Sequence, residues 1–319
     1  MICLGIESTA HTFAVGIVEK KGKKYKILAD VRDSYSGVGL VPSELAEHHF
    51  DVAAEVVKKA LREANLEIKE IDRVAFARGP GIGHALRVGA IVARSLAYFK
   101  EKDLFGVNHC IAHIEIGKHL CKVQSPLVLY ISGGNTQLLV EKKGHYKIIG
   151  ETLDIGIGNF LDSFGRKLGL EFPAGPKLDK LYFRGKKLIE LPYTVKGMDL
   201  AFSGLLTATI AKINKEKNRD LIYSALHTAF SMIAEVSERA LAYTNKKELL
   251  AVGGVASSKA LTKILRTMCK ERGAEYFVPE PRYCTDNGVM IALAALIDGK
   301  AKRLKIEESN VIQKMRTEE

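Results

Sequence analysis

The sequence predicts an α/β protein built as two similar lobes, and three observations carry that reading. Apolar runs of strand length alternate with stretches of helical periodicity along a chain of 319 residues. A strand–polar tip–strand unit occurs twice, over residues 2–18 and again over 127–140. A third apolar run ends in Gly253-Gly254 and leads into a helix. Together they predict lobes facing one cleft, with phosphate held between the hairpin tips and a nucleoside against the Gly-Gly turn. The expected division is 1–125 plus 286–319 for the first lobe and 126–285 for the second, with no kinase domain.

Residues 2–6 are apolar, residues 7–12 read Glu-Ser-Thr-Ala-His-Thr, and 13–18 return as a strand. A basic turn at 20–24 precedes a third strand at 25–33 and a Gly-containing loop at 34–40. Pro42 and Ser43 suit a helix start, and Leu45, Val52, Val56, Ala60 and Leu61 repeat at helical spacing through residue 64. Strands follow at 74–77 and 104–107, with a helix at 86–99 between them and another at 108–120. After the second hairpin come a strand at 146–153, a glycine-spaced helical stretch at 154–169, and a rigid Pro-Gly loop. The reading continues with helices at 177–183, 204–217 and 221–245, and an irregular segment at 184–202. A strand at 249–252, a helix capped by Ser257 or Ser258, and a strand at 275–278 follow. A last helix spans 287–298, opened by Asp286. The charged tail beyond Gly299 is expected to fray.

In the second hairpin, residues 127–131 form a continuous apolar run that Ser132, Gly133, Gly134 and Asn135 interrupt with turn chemistry. Glycine amides at such a tip have no Cβ beside them and can surround an anion. An ordinary tight hairpin is the plain alternative. The repetition of the device favours the first reading.

Composition narrows the class. At 47% hydrophobic and 27% charged residues the chain is ordinary for a globular protein. Lys and Arg total 48 against 37 Asp and Glu, a net charge of +11, which suits a polyanionic partner or a heat-adapted surface. The five cysteines include no Cys-x-x-Cys and read as buried thiols in a reducing compartment. Without a leader-like or membrane-spanning apolar segment, the expected location is the cytoplasm.

Several motifs fail. Gly81 and Gly83 begin a dinucleotide fingerprint, but Leu86 stands at its last glycine, and no Walker-type loop occurs. His109 and His113 stand four apart and share a helical face, as metal ligands do. Cys110 occupies the place where a zincin carries its glutamate. Asp286 is equally suited to closing a metal site and to capping a helix. Asp162 and Asp179 flank the Gly175 loop and are natural ribose-hydroxyl partners. Ser132 and Ser203 lack an adjacent histidine. Basic clusters at 184–187, 212–219 and 300–305 are solvated faces or a phosphate track.

The segments IESTAHTFAVGIV, ARGPGIGHALRVG, NHCIAH, YISGGNTQL, TLDIGIGNFLD, PAGPKLDK, DLAFSGL, AVGGVASSKAL and CTDNGVMIA run in this order over residues 2–296. The chain thereby resembles the universal tRNA threonylcarbamoyladenosine transferase family, in the archaeal and eukaryotic branch that forms the catalytic subunit of the KEOPS complex. The resemblance implies an actin-like and Hsp70-like (ASKHA) ATPase fold of two RNase H-like lobes around a central nucleotide cleft. It implies that His109, His113, Tyr130 and Asp286 ligate one metal, iron or zinc. It implies that Tyr130, Ile131, Ser132, Gly133, Gly134, Asp162, Gly175 and Asp179 contact the nucleotide. The family usually has Asn where this chain has Ser258, whose shorter side chain would reach the nucleotide through water.

The function so implied is transfer of threonylcarbamoyl from threonylcarbamoyl-AMP to N6 of adenine 37 in tRNAs that read codons starting with A. It is metal-assisted, and no general base stands out in the sequence. The implied partners are tRNA, a small kinase and accessory subunits, with no membrane. A small-molecule kinase of the same fold, a metallopeptidase and an inactive nucleotide-binding scaffold are the competing readings. The kinase has no use for the two histidines, the peptidase lacks its base, and the scaffold needs no metal.

Overall fold

The computed structural model describes residues 1–37 and 41–318, so the loop expected at 34–40 falls partly outside the described residues. The chain divides into two compact units, Met1–Ile116 with Asp286–Glu319, and Gly117–Thr285.

The first unit begins with β1 (Ile2–Glu7), β2 (Thr12–Lys21) and β3 (Lys24–Ser34), then α1 (Pro42–Ala64), β4 (Arg73–Gly79), α2 (Gly83–Phe99) and β5 (Asp103–Asn108). Helix α3 (His109–Cys121) carries the chain across the division. The second unit contains β6 (Leu127–Ile131), β7 (Thr136–Lys142), β8 (His145–Glu151), α4 (Ile157–Lys167) and α5 (Gly175–Tyr182). A two-residue pair, β9 (Val195–Lys196) and β10 (Asp199–Leu200), precedes α6 (Ser203–Ala211) and the long α7 (Asn218–Thr244). Then come β11 (Glu248–Val252), α8 (Lys259–Glu271), β12 (Glu275–Phe277) and the short α9 (Pro281–Cys284). The chain returns to the first unit as α10 (Gly288–Leu296) and β13 (Ala301–Leu304).

The sheets of the two units share one topology. The first runs β13-β5-β4-β1-β2-β3 and the second β12-β11-β6-β7-β8. In each, an antiparallel meander (β1-β2-β3, β6-β7-β8) is extended by two strands parallel to its first member (β4 and β5, β11 and β12). The parallel strands need crossovers, which α1, α2 and α7, α8 supply. Each unit has its own core. Leu4, Ile6, Phe13, Phe76 and Leu104 anchor the first, and Leu129, Ile131, Phe160, Phe164 and Phe230 the second. The first strand of each meander is buried on both faces, which is why it reads as a continuous apolar run rather than an alternating one. Helix α10 is buried all round, as its uniformly apolar sequence requires.

Four expectations change, the first being that the helix read over 204–217 runs only over Ser203–Ala211 before the chain turns. The stretch read as helical from residue 154 becomes helix only at Ile157. Asp154 is drawn off by tertiary contacts, accepting from Ile155 N (2.6 Å), Phe202 N (2.9 Å) and Ser203 N (2.9 Å). The last helix is capped by Asn287, whose Oδ1 accepts from Met290 N at 2.8 Å, so Asp286 lies one residue ahead of the cap. The tail does not fray. After β13 pairs with β5, Ile312 N donates to Arg78 O (2.7 Å), Arg94 Nε to Ser309 Oγ (2.7 Å), and Asn108 Nδ2 to Arg316 O (2.8 Å). Among the described residues, no helix is long and apolar enough to cross a membrane.

Candidate metal centre and nucleotide-binding elements

Three of the four candidate metal ligands, His109, His113 and Asp286, lie within the first unit, and Tyr130 lies in the second. One ligand atom from each of His109, His113 and Asp286 lies within 4.8 Å of the others. The histidines share the first turn and a half of α3, their ring centroids 4.7 Å apart and the rings nearly perpendicular. Asp286 Oδ1 stands 3.2 Å from His113 Nε2 and 3.7 Å from His109 Nε2. Both imidazoles thus present Nε2 to the same point. Arg32 Nη1 donates to the Asp286 carbonyl at 3.1 Å, which anchors the backbone behind that carboxylate.

The other face of His109 fixes its tautomer. Glu7, fully buried at the end of β1, meets His109 Nδ1 through Oε2 at 2.9 Å and accepts from Thr9 N through Oε1 at 2.6 Å. Thr9 Oγ1 lies 3.3 Å from the same Nδ1. With Glu7 on Nδ1 and Asp286 on the Nε2 side, His109 has the arrangement that would orient a ligating histidine and raise its donor strength. Charge agrees with this fit. Burial works to lower the His109 pKa, but the charge and hydrogen bond of Glu7, with the charge of Asp286, carry it up to about 9. Burial lowers that of His113. Burial also opposes ionisation of Asp286, yet the hydrogen bond from His113 and the neighbouring imidazoles hold its carboxyl well below the usual range. Two carboxylates converging on an imidazole pair therefore favour a cation. With the proton on His109 displaced, two imidazole nitrogens and a carboxylate oxygen would form a donor set of the kind transition metals take up.

The nucleotide-binding elements predicted from sequence lie in the second unit. Residues 132–135 close the β6–β7 hairpin, with Ser132 N donating to Asn135 O at 2.8 Å. The tip also caps α4. Ile157 N donates to Thr136 Oγ1 (2.9 Å), Gly158 N to Ser132 O (3.1 Å) and Asn159 N to Gly133 O (2.9 Å). The peptides on either side of Gly133 are trans. With their carbonyls turned to α4, their N–H groups, those of Gly133 and Gly134, point away from it. Both glycines are exposed. This close seating explains the glycine spacing of the following segment. A Cβ on Gly156 would lie 2.5 Å from Gly134 C, and one on Gly158 2.6 Å from Gly133 Cα.

Strand β11 runs parallel beside β6, Val252 opposite Tyr130, so the Gly253-Gly254 turn emerges beside the Ser132–Gly134 tip. Carboxyl ends of adjacent parallel strands are where α/β proteins place ligands. Gly253 has φ of 93°, and a Cβ there would meet Ile131 O at 2.3 Å. Tyr130 and Ile131 are themselves fully buried in β6. Asp162 Oδ1 accepts from Ala174 N at 2.8 Å, just ahead of Gly175 at the start of α5. Asp179 and Ser258 are joined. Asp179 accepts from Ser258 Oγ, from Ala260 N (3.1 Å) and from Lys259 N (3.1 Å), while Ser258 Oγ accepts from Leu261 N (3.1 Å). Both residues thus cap α8 and brace the Gly-Gly turn.

The structure brings His109, His113 and Asp286 together in one unit, and Asp179 with Ser258 in the other. Sequence reasoning missed Glu7, Thr9 and Arg32 around the metal position, and Gly156 and Gly158 beneath the hairpin tip. Glu7 did leave a signal: a carboxylate closing a buried apolar strand requires a cationic or imidazole partner.

Two sheets with the same meander and parallel strands, a histidine–aspartate cluster that could hold a metal in one unit and a Gly-Gly tip in the other, define a two-unit α/β protein. Solved structures support the fold. A crystal structure of HypF from Thermococcus kodakarensis matches 92% of this chain and 47% of its own, with a TM-score of 0.66 at 17% identity. Full-length HypF in a phosphate- and nucleotide-bound form matches 93% of this chain and 47% of its own, with a TM-score of 0.63 at 14% identity. The fold is the actin-like and Hsp70-like one of RNase H-like lobes.

The particular family follows from sequence. A family model described as TsaD, tRNA N6-adenosine threonylcarbamoyltransferase, matches residues 26–293. A protein of that name from Thermococcus sibiricus is 51% identical over 100% of this chain and 98% of its own. Its counterpart from Thermococcus kodakarensis is 49% identical over the same shares. A probable bifunctional tRNA threonylcarbamoyladenosine biosynthesis protein from Methanothermobacter thermautotrophicus is 46% identical over all of this chain, which spans 60% of that longer protein. The chain belongs to the tRNA N6-adenosine threonylcarbamoyltransferase family.

Proposed function

We propose that this chain transfers threonylcarbamoyl from threonylcarbamoyl-AMP to N6 of adenine 37 in tRNAs reading codons that start with A. The observation that carries the reading is the convergence of His109 Nε2, His113 Nε2 and Asp286 Oδ1, with Glu7 behind His109, in a chain of this family. In the reaction the N6–C bond forms at the carbamoyl carbon and the C–O bond to phosphate breaks. AMP leaves with the electron pair, and one N6 proton is released.

His109, His113 and Asp286, joined by Tyr130 in this reading, would hold one metal ion, iron or zinc, which when bound would supply Lewis-acid chemistry toward the mixed anhydride. Glu7 keeps the His109 Nε2 lone pair directed at the ion. The amides of Gly133 and Gly134 hold the phosphate of the donor and of departing AMP, and the turn braced by Asp179 and Ser258 seats the adenosine. Asp162 and Gly175 shape the ribose side of that seat. The exocyclic amine of adenine is a weak nucleophile because its lone pair is delocalised into the ring. Orientation of the two substrates therefore supplies much of the rate.

In this reading the chain is the catalytic member of a KEOPS-type assembly with a small kinase and accessory subunits in the cytoplasm, and the names of its relatives support that reading. The test is transfer of labelled threonylcarbamoyl to a tRNA transcript, with elemental analysis of the same preparation. Full transfer by a metal-free His109→Ala, His113→Ala double variant would overturn the reading.

A further inference from the structure

The family reading supplies a tRNA substrate but no surface for it, and the second unit carries an unabsorbed feature that fits one. Two basic segments far apart in sequence are clamped side by side. Asp220, in the first turn of α7, accepts from Lys186 N (2.9 Å) and Lys187 N (3.3 Å) through Oδ1. Ser224 Oγ, one turn on, accepts from Ile189 N at 2.8 Å. The crossing is tight enough that a Cβ on Gly185 would stand 2.2 Å from Tyr223 Cβ and 2.8 Å from Arg219 O.

The clamp turns the local carboxylate inward and leaves the cations outward. Asp220 is buried with its Oδ1 on two backbone amides, which with neighbouring Arg219 and Lys217 hold its carboxyl below the usual range against the effect of burial. Arg184, Lys186, Lys187, Lys215, Lys217 and Arg219 are all exposed. Among the described residues, no carboxylate forms an ion pair with Arg184, Lys186, Lys187 or Lys215, and Arg219 has only Asp220, at 3.7 Å. Glu216, half-buried, and Glu190, exposed, are the acidic side chains in these segments. Arg184 and Arg219 line one cavity of about 400 Å³ floored by Leu168, Leu170, Leu181 and Ile222. Phe183, 52% exposed, stands beside the first arginine.

We infer that this face docks the sugar-phosphate backbone of tRNA, with the Arg184–Arg219 cavity receiving a ribose or an unstacked base between two phosphates. The inference rests on the transferase reading for the identity of the RNA. Two rows of exposed cations, most of them without an ion-pair partner among the described residues, match a polyanion whose charges recur along a strand. Guanidinium groups above an apolar floor, with an exposed aromatic alongside, suit nucleotides better than an acidic peptide.

The test uses the whole chain and a tRNA transcript, with fluorescence anisotropy in a salt series from about 50 to about 200 mM. Arg184→Gln with Arg219→Gln should lower the slope of log affinity against log salt by about 1 to 2, and weaken binding at least about tenfold at low salt. Lys186→Gln with Lys187→Gln should act in the same direction. Arg184→Lys with Arg219→Lys should keep the slope, and the ADP affinity of every variant should match the parent, which excludes misfolding. A glutamine variant with the parental slope overturns the inference. So does a parent chain that does not bind tRNA at low salt, and so does loss of polyglutamate binding with tRNA binding untouched, which would mark an acidic protein as the occupant. Binding with the expected slopes but without threonylcarbamoyl transfer supports the docking face and removes the transferase reading instead.

Discussion

Glu7 is placed to orient a candidate metal ligand without being a ligand itself. It is buried at the end of β1 and reaches His109 Nδ1 at 2.9 Å, so replacing it with an isosteric amide preserves packing while removing a charge. Glu7→Gln is expected to reduce metal affinity about 10- to 100-fold and to leave the melting temperature nearly unchanged. Metal titration followed by calorimetry checks both. His49 is a residue of another kind. It is buried in α1, with Phe13 edge-on at 5.6 Å and His48 Nδ1 at 3.0 Å. Burial first, then the charge of His48, pulls its pKa from 6.5 to about 4. In the unfolded chain it takes up a proton below its ordinary pKa, while in the folded chain it stays neutral until near 4. Folding stability is therefore intact above about 6.5 and declines as the pH falls toward 4. At pH 5 the loss from this group is at most ~2 kcal/mol. Urea titrations at pH 7 and pH 5 should show a smaller acid penalty in His49→Gln than in the parent, by up to that amount.

At the scale of elements, the hairpin tip and the first turn of α4 form one device. The tip satisfies helix amides that would otherwise lack partners, and the helix in return orients the glycine amides outward. Substitutions on the two sides should therefore separate. Gly133→Val adds bulk into the open, since its Cβ has only Asn159 Oδ1, at 3.8 Å, within reach. Gly158→Val drives a side chain into the Gly133 backbone. The first should lose adenine-nucleotide affinity at a parental melting temperature; the second should lose affinity and stability together. The tail is a second such device. Asn108 donates to Arg316 O and also caps α3, its Oδ1 accepting from Cys110 N (3.0 Å) and Ile111 N (3.4 Å). Removing residues 311–319 should cost about 1–3 kcal/mol and speed amide exchange at Cys110 and Ile111, beside the metal ligands. Unchanged exchange there would show that the strap carries no load.

These devices also mark what the sequence could disclose. Strands β1 and β6 and helix α10 were legible because burial on all sides writes itself as unbroken apolar sequence. The histidine pair was legible from helical spacing. The start of α4 was not, because Asp154 is recruited by amides at Phe202 and Ser203, contacts that no local window contains. The ordered tail was hidden for the same reason, its partners Arg78, Arg94 and Asn108 lying far upstream. Asp286 was ambiguous because Asp and Asn, adjacent here, are equally good caps. Only the structure shows that Asn287 takes the cap and leaves the Asp286 carboxylate to the histidines.

At the scale of the molecule, a meander with two parallel strands beside it is used twice, and the candidate metal ligands of α3 and the glycine tip fall in different copies. Both units carry the same meander with two parallel strands beside it. In the first, the meander tip holds Glu7 and Thr9 against a histidine helix. In the second, the corresponding tip is trimmed to glycines with outward amides. Each unit has its own core, so damage to one set of ligands need not pass to the other. This predicts a reciprocal dissociation. His113→Ala should remove the metal, because it deletes one of two imidazole donors, and should abolish transfer. Its AMP affinity should stay within about threefold of the parent, a difference below 1 kcal/mol. Gly133→Val should retain full metal content and lose AMP affinity at least about tenfold, or about 1.4 kcal/mol. Elemental analysis and AMP calorimetry on the same two preparations decide the matter. Loss of both properties in either variant would mean that metal and phosphate share a single interdependent site, and that the division of labour between the copies is wrong.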